Sequence, residues 1–204
     1  MRDSLPIQLV VEDALSEAVL RKILTHVDRD FSVGVCYGKR GFGFIKRNIQ
    51  GFNQATKGMS FLVLTDLDTA DCPPLLISDW LPAPQNPNLM FRIAVREVEA
   101  WLLADREGFA GFLNISTANM PMDVEAVQDP KRALVNLAKK CKSRSIRDAI
   151  VPRLGVTAIQ GPDYNGTLIP FVRDHWDVSR ASKHSDSLAR TVRAVKNFKP
   201  LTRG

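Results

Sequence analysis

The alternation of apolar runs and amphipathic segments in residues 5–113 most constrains the fold of this chain. Four apolar segments, rich in residues that favour β-structure, predict strands at 6–13, 31–38, 59–66 and from 89 onward. Apolar residues at helical spacing, or a proline at a helix start, predict helices between them at 14–27, 43–57 and 73–81, and residues 89–113 are predicted to be a strand that passes directly into a helix. This alternation predicts an α/β fold with a mainly parallel sheet of about four strands and helices on both faces.

The rest of the chain has a different character. Residues 114–204 contain no strong strand signal, and three segments read as helices: 129–141, 166–176 and 185–198. The sequence therefore predicts an α/β core at 1–113 and a helical C-terminal part at 114–204 that packs on it. Whether the helical part belongs to the same domain stays open.

Composition limits the class of protein. Of the 204 residues, 45% are apolar and 25% are charged, which is ordinary for a globular protein. No stretch reaches the roughly 20 apolar residues that span a membrane, and an acid comes too early in the N-terminus for a signal peptide. We therefore expect a cytoplasmic protein. The net charge of +6 favours acidic partners, nucleic acid first, although the basic residues are spread along the chain.

Acidic residues follow three of the predicted strands. Glu12 ends the first, Asp66 and Asp68 end the third, and Glu97 and Glu99 follow the fourth. Ligands of open α/β sheets bind beyond the carboxyl ends of the strands. Residues i and i+2 of an extended chain point the same way, so we expect Asp66 and Asp68 to project together. If strands one and three are neighbours, Glu12 faces them.

Crowded carboxylates repel one another, and a divalent cation removes that repulsion. Carboxylate oxygens are suitable ligands for Mg²⁺ or Mn²⁺, and these ions support the hydrolysis of phosphodiesters. The alternative is that acids at strand ends cap the helices that follow. We favour metal binding as the role of Glu12, Asp66 and Asp68 together, and helix capping as the role of Asp13 and Asp71.

Basic residues near these acids are candidate contacts to nucleic-acid phosphates. Lys39 and Arg40 lie in the glycine-rich segment "GKRGFGF", which does not have the spacing of a known phosphate loop and is equally consistent with a simple turn. Arg92 and Arg96 lie four residues apart on the predicted fourth strand, so we expect them to share a face near the acids. The sequence supports two roles for these arginines equally: an ion pair with Glu97, or contact with a phosphate.

Two segments resemble the Toprim domain, which topoisomerases, primases, recombination proteins and OLD-type nucleases share. They are "VVEDALSEAVLRKIL" and "FLVLTDLD". Glu12 matches the glutamate at the end of the family's first strand, while Asp66 and Asp68 match its D-x-D. A third segment, "REVEAWLLAD" (96–105), is similar to part of an uncharacterised bacterial Toprim-like family often described alongside ATPase partners.

The resemblance implies a Rossmann-like Toprim core in which Glu12, Asp66 and Asp68 bind Mg²⁺ or Mn²⁺. Glu97 and Glu99 become candidates for a second metal ion. The chain departs from the family at one point, because Asp13 and Ala14 stand where Toprim domains usually carry a glycine after the first acid.

The function expected from this resemblance is metal-dependent hydrolysis of nucleic acid in a defence or DNA-repair setting, with DNA favoured over RNA. Two alternatives stay open. The chain is a dependent subunit of a complex with a separate ATPase, or it is a metal-dependent phosphatase or nucleotide hydrolase. The sequence indicates no oligomeric state.

Overall fold

The structure, a computed structural model, describes residues 4–201 and contains a four-stranded sheet in the order β2-β1-β3-β4. All three strand pairs are parallel. The strands are β1 (Leu5–Val11), β2 (Phe31–Gly38), β3 (Ser60–Asp66) and β4 (Leu89–Ala94). The prediction of an α/β fold with a parallel sheet of about four strands is therefore confirmed.

Ten α-helices occur in the described chain. Eight of them match segments whose helical pattern is visible in the sequence: α1 (Ala14–His26), α2 (Phe42–Ala55), α3 (Pro73–Trp80), α4 (Val98–Ala104), α5 (Arg106–Leu113), α6 (Pro130–Ala138), α8 (Tyr164–Asp174) and α10 (Asp186–Asn197). The other two, α7 (Arg144–Ile150) and α9 (Val178–Ala181), are not predicted. They are too short for helical periodicity to stand out. None of the described helices is long and apolar enough to cross a membrane.

The two faces of the sheet carry different helices. One face of the sheet carries Val10, Val63 and Phe91. These side chains form a hydrophobic cluster with residues of α2 and α3, such as Ile45 and Trp80. The connection from β1 to β2 runs towards one edge of the sheet, and the connection from β2 to β3 runs back towards the other edge. Because such crossovers are right-handed, α1 lies on the face opposite α2.

The turn after β2 is tied to the end of β1. Gly38, Lys39 and Gly41 all have positive φ angles, of 103°, 62° and 72°. The Lys39 amide donates to the Val11 carbonyl at 2.9 Å, and the Gly41 amide donates to the Glu12 carbonyl at 3.0 Å. These bonds hold the start of α2 at the carboxyl edge of the sheet.

Gly38→Ala should destabilise the fold, because its φ of 103° is strained for an L side chain and the new Cβ would overlap the Val11 carbonyl oxygen. We expect the free energy of unfolding in urea, followed by circular dichroism, to fall by about 2–4 kcal/mol. Gly51→Ala is the control, since Gly51 lies in α2 with open space around its Cα. That variant should gain up to about 1 kcal/mol. Equal effects of the two substitutions would contradict the assignment.

The chain forms two compact units. The first runs up to Val95 and resumes at Arg190, so it contains the sheet, and the second runs from Arg96 to Ala189. Helices α4 and α5 therefore lie in the second unit rather than with the sheet, although the sequence groups them with it.

A buried carboxylate organises part of the second unit. Asp105 is fully buried and caps α5 by accepting from the Gly108 amide at 3.1 Å. The Arg180 guanidinium donates to both of its oxygens, at 2.7 and 2.9 Å, and the Asp177 amide donates at 2.9 Å. One side chain thus links the start of α5 to the start of α9.

Asp105→Ala should lower the free energy of unfolding by about 2–4 kcal/mol, because it removes a helix cap and leaves partly buried donors unsatisfied. Glu107→Ala, at an exposed acid in the first turn of the same helix, should change it by less than about 0.5 kcal/mol. Chemical denaturation measures both values. A loss in Glu107→Ala as large as that in Asp105→Ala would refute this role.

Candidate functional site

The pairing of β1 with β3 brings the first predicted acids together. The two strands are parallel neighbours, with Val10 opposite Val63. Their carboxyl ends therefore lie at one edge of the sheet, where Glu12 follows β1 and Asp66 ends β3. The first and third strands are thus neighbours, as the expected meeting of Glu12 with Asp66 and Asp68 requires, and Glu12 contacts the backbone of Asp66.

The carboxylate of Glu12 is held by the end of β3. Its Oε1 accepts a hydrogen bond from the Asp66 amide at 2.9 Å and another from the Thr65 hydroxyl. Burial raises the pKa of Glu12, these two hydrogen bonds oppose the rise, and the negative charges of Asp68 and Asp13 add to it. The charged form of Glu12 is thus fixed in place but electrostatically unfavourable.

Asp66 and Asp68 line one groove in the first unit, with a volume of about 640 Å³. We name it the acidic groove; its walls include Phe42, Lys46, Asp66, Asp68, Asp71 and Trp80. The reason predicted for their proximity is wrong. The chain leaves the extended conformation after Asp66, and Asp68 lies in a turn with a φ of 48°. The turn, closed by a bond from the Ala70 amide to the Leu67 carbonyl at 3.0 Å, places Asp68 in the groove.

The two acids predicted to cap helices behave differently. Asp13 caps α1, because its side chain accepts from the Ser16 amide at 2.8 Å. Asp71 does not cap α3: the residue at that position is Cys72, and no side chain caps the helix. Asp71 is instead exposed along the acidic groove. The prolines at the start of α3 have no backbone N–H and need no acceptor, which makes a side-chain cap less necessary.

Glu97 and Glu99 lie in the second unit. The carboxylate of Glu97 accepts from the Lys131 amide at 2.8 Å. Glu99 is 1% exposed and accepts from the Tyr164 hydroxyl at 3.0 Å, with the Lys131 ammonium at 3.4 Å. The sequence carries no signal for these partners, since they lie far along the chain. A metal-binding role for Glu97 and Glu99 stays a prediction.

Lys39 forms an ion pair with an acid of the same unit. Its ammonium lies 2.6 Å from Glu17, which also accepts from Arg21 at 2.8 Å. Burial raises the pKa of Glu17, but the hydrogen bonds from Lys39 and Arg21 outweigh it, so the pKa is lowered overall. Arg40 follows in the same turn and is exposed. Contact of Lys39 or Arg40 with phosphate stays a prediction.

Arg92 does not lie at the carboxyl edge of the sheet. It is half-buried in the middle of β4, opposite Leu64, and its Nε donates to the Thr191 hydroxyl at 3.3 Å. Burial lowers the pKa of Arg92, and the charge of Arg190 lowers it further. The strand ends at Ala94, so the strand face predicted for Arg92 and Arg96 together does not exist.

Carboxylate oxygens are the ligands that Mg²⁺ and Mn²⁺ prefer. The side chains of Glu12, Asp66 and Asp68 are therefore chemically suited to bind such a cation. Among residues 4–201, no three His, Cys, Asp or Glu side chains are already grouped to hold a metal ion. Binding therefore requires the three side chains to turn towards one another.

No protein-family model, curated protein or solved structure matches this chain. The resemblance to Toprim domains therefore rests on short sequence motifs alone: those around Glu12, Asp66 and Asp68, and the segment 96–105.

Opposite pKa shifts of two nearby glutamates give a paired prediction. The folded-state pKa of Glu12 is raised above the ordinary 4.5, so wild type loses stability as pH rises through it, and Glu12→Gln should be more stable near pH 7. A gain of about 0.5–2 kcal/mol is typical of such changes. Below pH 4.5, the ordinary pKa, Glu12 is protonated in both the folded and the unfolded state. The difference in stability between wild type and Glu12→Gln should therefore vanish there.

Glu17→Gln is the matched control, and we expect it to change the free energy of unfolding in the opposite direction. The lowered pKa of Glu17 stabilises the fold above pH 4.5, and this contribution is lost as pH falls through the folded-state pKa. The variant should therefore be less stable than wild type near pH 7, by about 0.5–1 kcal/mol. Urea unfolding at several pH values measures both variants. The same sign of change in the two would contradict the assignment.

Proposed function

We propose that this protein hydrolyses phosphodiester bonds in nucleic acid, using a Mg²⁺ or Mn²⁺ ion held by Glu12, Asp66 and Asp68. The observation that carries the proposal is the position of the Glu12 carboxylate, 2.9 Å from the amide of Asp66, a residue that lines the acidic groove. The resemblance to Toprim domains supplies the reaction class, and favours DNA over RNA.

Each acidic side chain has a role that follows from its place. The Thr65 hydroxyl and the Asp66 amide orient Glu12, while Asp66 and Asp68 offer oxygens from the wall of the groove. When bound, the cation supplies activation of water and neutralisation of charge at the phosphate. Removal of the mutual repulsion felt by Glu12 would offset part of the cost of gathering the acids.

Arg40 is the favoured phosphate contact among the predicted basic residues. It is exposed in the turn that the Glu12 carbonyl holds in place, whereas the Lys39 ammonium is engaged by Glu17. Arg92 is the least suitable, because it is half-buried in the middle of its strand. The net charge of +6 would assist the approach of a polyanion.

Asp66→Asn should lower Mn²⁺-dependent cleavage of DNA by about 100-fold or more, because it removes a charged cation ligand while keeping the side-chain shape. Asp71→Asn is the control: Asp71 is an exposed carboxylate of the same groove that we do not place on the cation. A gel assay of labelled DNA measures cleavage, and calorimetry measures Mn²⁺ binding. Cleavage by Asp66→Asn at the wild-type rate would refute the mechanism.

The same assays separate the alternative functions. A wild-type chain that binds Mn²⁺, cleaves no nucleic acid and copurifies with an ATPase would indicate a dependent subunit. Faster hydrolysis of nucleotides or p-nitrophenyl phosphate than of DNA would indicate a phosphatase or nucleotide hydrolase.

A further inference from the structure

Three aromatic rings form a column in the first unit. Phe91 of β4 stacks with Trp80 of α3 at a centroid distance of 6.1 Å and an interplanar angle of 26°. Trp80 stacks in turn with Phe42 of α2, at 6.4 Å and 27°. The near-parallel rings run from the sheet outward. Each element thus contributes one ring to a single stack.

Exposure increases sharply along this column. Phe91 is 2% exposed and Trp80 is 7% exposed, whereas Phe42 is 52% exposed. The buried rings are ordinary core, but the outermost ring ends in solvent. Because the column fixes the orientation of Phe42, its open face is a preformed surface for another flat ring.

The open end of the column lies in the acidic groove. Phe42 and Trp80 line this groove together with Asp66 and Asp68, and the half-exposed Leu75 lines it too. A single exposed apolar residue needs no explanation. Here an exposed ring and an exposed leucine share a groove of about 640 Å³ with two proposed cation ligands, and this volume lies in the range of ligand pockets.

We propose that the acidic groove is a nucleobase subsite, in which an unpaired base stacks on Phe42 while its nucleotide's phosphate lies towards Asp66 and Asp68. This inference rests on the proposed function and names its substrate class. A base inside a duplex has both faces covered by its neighbours, so only a single-stranded or locally unpaired segment can stack there. The preferred substrate is therefore single-stranded nucleic acid.

The charge of the groove adds a condition. Asp66, Asp68, Asp71 and Asp79 line it, and the Lys46 ammonium pairs with Asp79 at 2.8 Å while lying 5.9 Å from the Trp80 ring centroid. Such a surface repels phosphate unless cations are present. The uncharged base belongs at the apolar end formed by Phe42 and Leu75. Binding of a single strand should thus require a divalent cation.

The test uses the full chain and an oligothymidine strand that carries one 2-aminopurine, with Ca²⁺ replacing Mg²⁺ to slow cleavage. Quenching of 2-aminopurine fluorescence reports stacking, and anisotropy reports affinity. Phe42→Leu keeps apolar cover over Trp80 but removes the ring, so it should lose the quenching and weaken binding about 5- to 150-fold. Phe42→Trp should retain both, and EDTA should abolish binding in all forms.

Val35→Ala is the matched control, because Val35 is an equally exposed apolar residue of the same unit that does not line the acidic groove. It should bind and quench like wild type, and the duplex form of the probe should show no dependence on Phe42. Quenching by Phe42→Leu at the wild-type level overturns the subsite. An equal loss of binding in Val35→Ala and Phe42→Trp also overturns it, as does a failure of wild type to bind the single strand.

Cleavage assays separate this inference from the proposed function. Phe42-dependent stacking in a protein that cleaves no nucleic acid would refute the proposed function and support the subsite. Cleavage of single strands by Phe42→Leu at the wild-type rate, with an active wild type, would refute the subsite alone.

Discussion

The parallel pairing of β1 with β3 is the constraint on which the candidate site depends. It places the residue after one strand beside the last residue of the other, so that the Asp66 amide can donate to Glu12. The strands that pair are not consecutive in the chain, because β2 lies on the far side of β1. The chain must therefore cross the sheet in both directions, with helices on both faces, before these two groups can meet.

This arrangement concentrates negative charge in a basic protein. The chain has a net charge of +6, yet four carboxylates line its acidic groove, and Glu12 accepts from the amide of one of these residues, Asp66. Burial and the nearby charges of Asp68 and Asp13 oppose ionisation of Glu12. A fold selected only for stability would avoid such crowding, and departures of this kind are typical of functional sites. The same groove also holds the open end of the aromatic column, which joins a charged region to an apolar one.

Local patterns predicted the elements of this fold well. The strands appear as apolar runs, and α1 begins where Asp13 accepts from the Ser16 amide, a contact between residues three apart. The geometry past the strand ends was harder to predict. Asp68 was expected to follow strand alternation, but a turn with a left-handed backbone places it instead. Arg92 was expected near the acids, yet it lies in the middle of β4 and contacts Thr191.

The sequence by itself determined the class of the fold and the acids that end its strands, because periodicity and capping act over a few residues. Only the tertiary structure decided which groups meet. The Lys39–Glu17 ion pair, the Glu99–Tyr164 hydrogen bond and the Phe42–Trp80–Phe91 column all join separate elements. Their partners are set by how separate elements pack within each unit, and no local pattern encodes this packing.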